Sequence, residues 1–324
     1  MKGRVFSGAR PTGRQHIGNY LGAIQNYVKL QEDYECIYCI VDLHALTTLE
    51  DVSQMQNNIR EMALDWLAAG IDPEKSIVFV QSHVPQVTEL HTLLSMITPL
   101  GWLLRVPTFK EKARQQPQNV NYGLVGYPVL QTADIVLYKA DTVPVGEDQL
   151  PHLELAREIV RRFNTMFKPV FPEPQAKLTS YRTVVGLDGV SKMSKSLDNH
   201  IELAATPEET EKRLKGAFTD PERKFLKDPG RPQVCNVYTL HGFYNPDKAE
   251  EIGQQCRTAA IGCVDCKKML AKGVNAALEP FRARRAEFAA RTGYLEKIIS
   301  DGDRRAGLIA RETIKEVKEA MCLL

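Results

Sequence analysis

The chain has 324 residues, of which 43% are hydrophobic and 25% charged, with Lys+Arg 42 against Asp+Glu 40 for a formal charge of +2. That balance suits a packed protein long enough for two domains; it sets disorder aside and gives no overall field that advertises nucleic acid. The opening "MKGRVFSGARPTG" has no apolar h-region, and no later apolar run approaches the roughly 18 residues of a membrane span, so a cytoplasmic chain with no membrane attachment is expected.

In chain order, four apolar runs bounded by turn signals predict strands: "RVFSG", "CIYCIVD", "SIVFVQS" and "DTVPVGED". Helical patterns separate them. After the first run, Ile17, Tyr20, Leu21, Ile24 and Val28 fall at 3/4 spacing and would pack on a sheet; "HLELAREIVRRFN" follows the fourth run in the same way. This βαβ rhythm predicts the α/β class, with a doubly wound parallel sheet of Rossmann type. Polar clusters follow the strands: "SGARPTG" after the first, Asp42 and His44 after the second, "GEDQ" after the fourth. In open α/β sheets ligands bind at that edge. Cys36 and Cys39 form a CxxC inside a strand, where a spacing of three sends side chains to opposite faces, so they are expected to be core thiols.

"DGVSKMSKSLDN" (188–199) has little apolar anchoring and is expected to be a mobile loop. Beyond about Glu202 no strand is expected, and helices alternate with loops such as "DPGRPQ" and "YNPDK". A boundary near residue 205 would separate a catalytic part, 1–205, from a helical part, 206–324. Within the latter, Phe281 to Arg305 carries seven basic residues against four acidic ones. Its net +3 fits either a surface for an RNA backbone or a solvated helix face.

Two short motifs point to phosphate chemistry. "GRQHIGNYLG" places His16 and Gly18 at the first turn of a helix after a Pro/Gly loop, where unpaired N–H groups and the helix dipole favour an anion. In the 188–199 loop, Lys192 and Lys195 sit three apart among Ser and Gly, and such lysines can follow a pyrophosphate as its charge develops.

"HIGN" resembles the HIGH signature, and "KMSKS" the second signature, of class I aminoacyl-tRNA synthetases. "FSGARPTG", "IVDLHA", "YPVLQTADIVLY" and "VPVGEDQ" extend the likeness over nearly the whole chain to the tryptophanyl-tRNA synthetases. The resemblance implies a Rossmann catalytic domain, a helical anticodon-binding domain and a homodimer. The implied activity forms tryptophanyl-adenylate from L-tryptophan and ATP with Mg²⁺, then transfers tryptophan to the 3′ end of tRNA(Trp). Tyrosyl-tRNA synthetase is the rival: Tyr127, Gln131 and Asp134 keep a spacing also seen there, whereas Phe6 stands where that family has a substrate-binding Tyr. A synthetase-like paralogue that binds tRNA or senses tryptophan without charging is a further alternative.

Carried over by resemblance, Asp134 would accept the indole N–H, with Phe6, Gly8, Val143 and Val145 lining the ring pocket and His44 nearby. Tyr127 and Gln149 would hold the amino group; Gln131 and Arg10 depart from the commoner pattern. Arg10, Thr12, His16, Gly18, Asn19 and Asp148 would surround ATP together with Lys192, Met193, Ser194, Lys195 and Ser196. Catalysis would fall to His16, Lys112, Lys192 and Lys195, which align and neutralise the phosphates without a protein nucleophile.

Cys235, Cys256, Cys263 and Cys266 are spaced C-x20-C-x6-C-x2-C in the helical part. Four thiolates can complete a metal site. In one straight helix Cys256 and Cys266 would lie roughly 15 Å apart, so the helix is expected to break, with Gly262 the obvious place. A subset of tryptophanyl-tRNA synthetases carries a 4Fe-4S cluster on a similar pattern. The cluster is the favoured reading, zinc the alternative, and unrelated core cysteines the bland one.

Overall fold

The computed structural model describes residues 2–48, 51–115, 117–178 and 184–324. Five parallel strands, β1 (Arg4–Ala9), β2 (Glu35–Ile40), β3 (Ser76–Val80), β4 (Thr142–Val145) and β5 (Gln175–Leu178), form one sheet in the order β3-β2-β1-β4-β5. The first four are the predicted ones. β5 was not foreseen: "QAKL" is short, polar and exposed at Gln175, Ala176 and Leu178, as an edge strand can be. Because β2 lies on one side of β1 and β4 on the other, the chain reverses direction across the sheet between β1 and β4, and a crevice opens at their carboxyl ends.

Helices cover both faces. α1 (Ile17–Asn19) runs through a wider turn, Tyr20–Ile24, into α2 (Gln25–Leu30); α3 (Asp42–Ala45) and α4 (Met55–Ala69) follow. α5 (Gln86–Ser95), α6 (Leu100–Arg105), α7 (Pro107–Gln115) and α8 (Tyr122–Leu137) precede β4, and α9 (Leu150–Met166) precedes β5. β2 is fully buried from Cys36 to Ile40, which is why it reads as an unbroken apolar run. Its alternation feeds two cores. Cys36, Tyr38 and Ile40 pack with Ile24, Tyr27 and Trp66 on one face, while Ile37 and Cys39 pack with Phe6, Phe79 and Leu90 on the other. Cys36 and Cys39 are thus core thiols on opposite faces, as the period of two requires.

After residue 205 come helices only: α10 (Pro207–Lys215), α11 (Asn236–Tyr244), α12 (Ala249–Arg257), α13 (Cys263–Ala290) and α14 (Tyr294–Ala320). Thr206 starts α10 with a reciprocal capping box to Glu209. The expected break falls between α12 and α13, where Ala259 takes φ 57° and Gly262, extended, precedes the first turn of α13. These helices do not stand apart from the sheet. α13 packs on α4, and α14 returns to β3 so closely that a Cβ on Gly302 would meet the Val78 carbonyl oxygen at 1.8 Å.

Candidate active site

A cleft of about 990 Å³ occupies the crevice between the ends of β1 and β4. β1 contributes Phe6, Ser7 and Gly8; β4 contributes Val143, Pro144 and Val145; α8 contributes Tyr127, Gln131 and Asp134. Gly8 is required by packing, because a Cβ there would meet Val41 at 2.8 Å. Phe6 is buried and stacked on Tyr138, with ring centroids 5.6 Å apart, so it presents a fixed apolar wall.

Asp134 is the polar group of this wall, only 2% exposed. Its Oδ2 lies 2.8 Å from His44 Nε2, and Gln81 Nε2 donates to Oδ1 at 2.7 Å and Oδ2 at 2.9 Å. A buried carboxylate so bonded is stiff, with two partners on Oδ2 and one on Oδ1. Tyr127 OH pairs with His152 Nε2 at 2.6 Å, and Gln149 Nε2 donates to Asp148 Oδ2 at 2.9 Å.

The other end of the cleft is the helix start. His16 caps α1: its Nδ1 accepts the Asn19 N–H at 3.2 Å while the Asn19 side chain accepts the His16 N–H at 3.1 Å. Asn19 therefore does local work that explains its place at the end of "HIGN". Gly18 leaves room for the His16 ring and for Met193, both within about 3.2 Å of where a Cβ would stand. Burial first, then His200, Lys195 and Lys192, push the His16 pKa down to about 4, so the imidazole is neutral at physiological pH.

The two signatures meet in space. Ile17 N–H donates to Ile201 O at 3.0 Å, Leu203 N–H to Gln15 O at 2.9 Å, and Lys195 Nζ to Thr12 O at 2.7 Å. Lys192 and Met193 line the cleft; Thr12, Ser194, Lys195 and Ser196 do not. The 188–199 segment is better anchored than its sequence suggests. Met193 is 2% exposed, and Asn199 ties the loop by accepting the Ser194 N–H and donating to Asp188 and to Lys192 O. Of the remaining expected residues, Arg10, Gly18, Asn19, His44 and Asp148 line the cleft, while the side chain of Lys112 falls outside the described residues.

Several contributors carry no motif. Gln81 sits at the carboxyl end of β3, a place where a polar residue after an apolar run is the one available signal. Asp65, fully buried on α4, accepts the Gln15 N–H on one oxygen and Arg285 Nε, 2.6 Å away, on the other. Burial raises its pKa to about 6 against the opposing charge of Arg285. Four arginines of 281–305 are accordingly turned inward, while Arg291, Lys297 and Arg304 stay exposed. Arg285 also reaches Glu61, Arg284 bonds Ala68 O, Arg282 bonds Thr210 and Asn275, and Arg305 bonds Pro73 O, so they join α13 and α14 to the rest of the chain.

Cys235 precedes α11, Cys256 lies in the last turn of α12, and Cys263 and Cys266 open α13. Burial, then Cys235, Cys256 and Cys263, push the Cys266 thiol up to about 12; burial likewise raises Cys256, with Cys235 and Cys263 adding to it. The four thiols therefore feel one another. Yet among the described residues no three His, Cys, Asp or Glu side chains are placed to hold a metal ion.

A family model for class I tRNA synthetases (W and Y) matches residues 1–279. The chain is 45% identical to tryptophan–tRNA ligase of Thermotoga maritima over 327 residues, covering 99% of each, and 39% identical to that of Aquifex aeolicus over 394 residues, covering 99% of this chain and 100% of the relative. This chain belongs to the tryptophan–tRNA ligase family. The crystal structure of tryptophanyl-tRNA synthetase from Campylobacter jejuni complexed with ADP and tryptophan superimposes with a TM-score of 0.89 at 34% identity, covering 98% of this chain and 99% of that one. A tyrosyl-tRNA synthetase from Archaeoglobus fulgidus shares the fold, at a TM-score of 0.67 and 22% identity.

Proposed function

We propose that the chain activates L-tryptophan with ATP and then charges tRNA(Trp). The observation that carries this is the single cleft that has Phe6 and Asp134 at one end and the His16 turn with Lys192 at the other. The tryptophan ring lies between Phe6, Gly8, Val143 and Val145. Asp134 accepts the indole N–H, with His44 behind it and Gln131 at the rim, and Tyr127 and Gln149 take the amino group. A ring lacking an N–H would leave a buried carboxylate unpaired, which penalises the wrong amino acid.

ATP lies over the His16 turn, its phosphates toward Lys192 and Lys195 with Arg10, Thr12, Ser194, Ser196 and Lys112 around them, its base over Gly18, Asn19 and Met193, and its ribose at Asp148. The tryptophan carboxylate oxygen attacks the α-phosphorus, a P–O bond forms, and pyrophosphate departs with the electrons of the bond that breaks. A ribose hydroxyl of the tRNA end then attacks the acyl carbon, the bond from that carbon to the phosphate oxygen breaks, AMP leaves with its electrons, and the hydroxyl proton passes to the AMP phosphate. The neutral His16 ring serves as a hydrogen-bonding group, and the lysines neutralise the leaving charge. Mg²⁺ would supply further charge neutralisation when bound.

We place a 4Fe-4S cluster on Cys235, Cys256, Cys263 and Cys266. Tetrahedral zinc with bonds near 2.3 Å needs sulfurs about 3.8 Å apart, whereas a cluster binds each thiolate at a separate iron, which suits cysteines drawn from the start of α11, the end of α12 and the start of α13. Its work is to pin loops, since the reaction moves no electrons. The tRNA then runs along residues 206–324, past exposed Lys224, Phe225 and Lys227 beside the cysteines. Self-association uses the exposed apolar side chains of Met96, Leu100, Leu104 and Tyr122 on neighbouring helices, and gives a homodimer. No helix among the described residues is long and apolar enough to cross a membrane, and the substrates of this reaction put its work in the cytoplasm.

Tryptophan-dependent ATP–pyrophosphate exchange, run beside tyrosine, tests the proposal. Exchange with tryptophan alone is expected; equal stimulation by tyrosine would sink it.

A further inference from the structure

We infer that Gln81, which does not line the cleft, is the positioning residue that sets tryptophan specificity by fixing which oxygen of Asp134 faces the ring. The inference rests on the reading of the cleft given above.

Gln81 follows β3 and is 1% exposed. Its Oε1 accepts the N–H groups of Leu43 at 3.1 Å and His44 at 3.3 Å, at the start of α3. Two backbone donors on that side leave one orientation for the amide, since a flipped Nε2 would face N–H groups while Oε1 faced a carboxylate. Nε2 must therefore point at Asp134, where it donates to both oxygens at 2.7 and 2.9 Å. His44 Nε2 takes a second position on Oδ2 at 2.8 Å. Oδ2 then has two partners and Oδ1 one.

An ionised carboxylate has about four acceptor sites. With three contacts distributed in this way, Oδ1 keeps the free acceptor, and the indole N–H docks there. Gln81 thus couples three elements: the end of β3, the turn into α3 that carries His44, and α8 that carries Asp134. Without its amide, Asp134 would keep only the His44 contact, and its carboxylate plane could rotate within the pocket. The loss would be felt by a ligand that donates an N–H, and hardly at all by one that does not.

That asymmetry supplies the test. Gln81→Glu keeps an oxygen for the Leu43 and His44 N–H groups but turns a second oxygen against Asp134; Gln81→Met keeps the length and removes both sets of hydrogen bonds. Each full-length variant is compared with the parent in ATP–pyrophosphate exchange. The substrates are tryptophan and the analogue in which sulfur replaces the indole N–H, and thermal unfolding is recorded alongside. The parent should favour tryptophan strongly. A charge-assisted hydrogen bond is worth roughly 10- to 100-fold, so Gln81→Glu should lose about that much kcat/KM for tryptophan, mostly through KM. Its kcat/KM for the sulfur analogue should change less than about threefold, so the discrimination ratio collapses.

Equal losses on both substrates in Gln81→Glu would overturn the inference and leave Gln81 a prop of the fold; so would an unchanged ratio. If Gln81→Met does not fold, the Gln81→Glu comparison still decides. A parent with no tryptophan-dependent exchange would instead overturn the proposed function itself.

Discussion

Arg285→Met removes the cation with which α13 pairs two carboxylates of α4. Arg285 Nε and Nη2 each lie 2.6 Å from a carboxylate, Asp65 and Glu61 respectively; the Asp65 side chain is fully buried and that of Arg285 is 13% exposed. Breaking a buried pair by deleting one partner costs about 3–5 kcal/mol, and partial exposure of the arginine points to the lower end, about 3 kcal/mol. For a chain of 324 residues that is roughly 4–5 °C in Tm. The loss must depend on pH, and its sign follows from Asp65. Its native pKa of about 6 lies above the ordinary carboxylate value, so between about pH 4 and pH 6 the folded state binds the extra proton and stability falls as pH rises through that window. Arg285 offsets part of the cost of the charge above pH 6. Thermal unfolding of the variant should therefore show its full deficit at pH 8 and a much smaller one at pH 5, where Asp65 is mostly neutral in both proteins. The second oxygen of Asp65 holds the Gln15 N–H beside His16, so the KM for ATP should rise while that for tryptophan stays near the parent value. A midpoint unchanged at pH 8, or a deficit equal at pH 5 and pH 8, would refute this reasoning.

Lys195→Ala should slow adenylate formation by roughly tenfold or more with little change in tryptophan affinity, because a charge that meets pyrophosphate as it departs favours the transition state over the ground state; equal losses in rate and affinity, measured by pre-steady-state exchange, would contradict that role. Anaerobic purification followed by iron, sulfide and zinc analysis is expected to return iron and sulfide in equal amounts. One zinc and no iron would replace the cluster with zinc, and no metal would leave four core thiols.

What the sequence disclosed, and what it withheld, divides along a physical line. β2 was legible because a strand buried on both faces must be apolar throughout, and the break at Gly262 because a straight helix cannot bring Cys256 near Cys266. β5 was not: an edge strand with Gln175 and Lys177 has no need of an apolar pattern. The Phe6, Asp134 and His16 ends of the cleft could be named from motifs and resemblance, and the structure gathers these residues around one cleft. Gln81, Asp65 and Arg285 act on those residues from behind, over sequence separations of 53 (Gln81 to Asp134) and 220 (Asp65 to Arg285), and no local spacing encodes such pairs. The arginine run illustrates the converse. Its charge was visible, but charge alone does not tell whether a guanidinium faces an RNA phosphate or a buried carboxylate of its own chain.

The nucleotide end has a further property that only the assembled structure reveals. Lys195 is held below the ordinary lysine pKa chiefly by burial, and His16 is held near 4 by burial and by the surrounding cations. Both shifts have the sign expected where positive charge is short of water and incompletely neutralised: Thr12 O gives Lys195 a single close acceptor, and Glu202 stands off at 4.0 Å. Folding has already met the cost of gathering these groups, through Met193 in the core and the pairing of 201–203 with 15–17. On the proposed reading, a polyanion entering the cleft would find cations that need no reorganisation to receive it, and charge developing on a departing pyrophosphate would be stabilised by a field already in place. The hydrogen bonds of Asn199 and the burial of Met193 hold the segment bearing "KMSKS" in place in this arrangement.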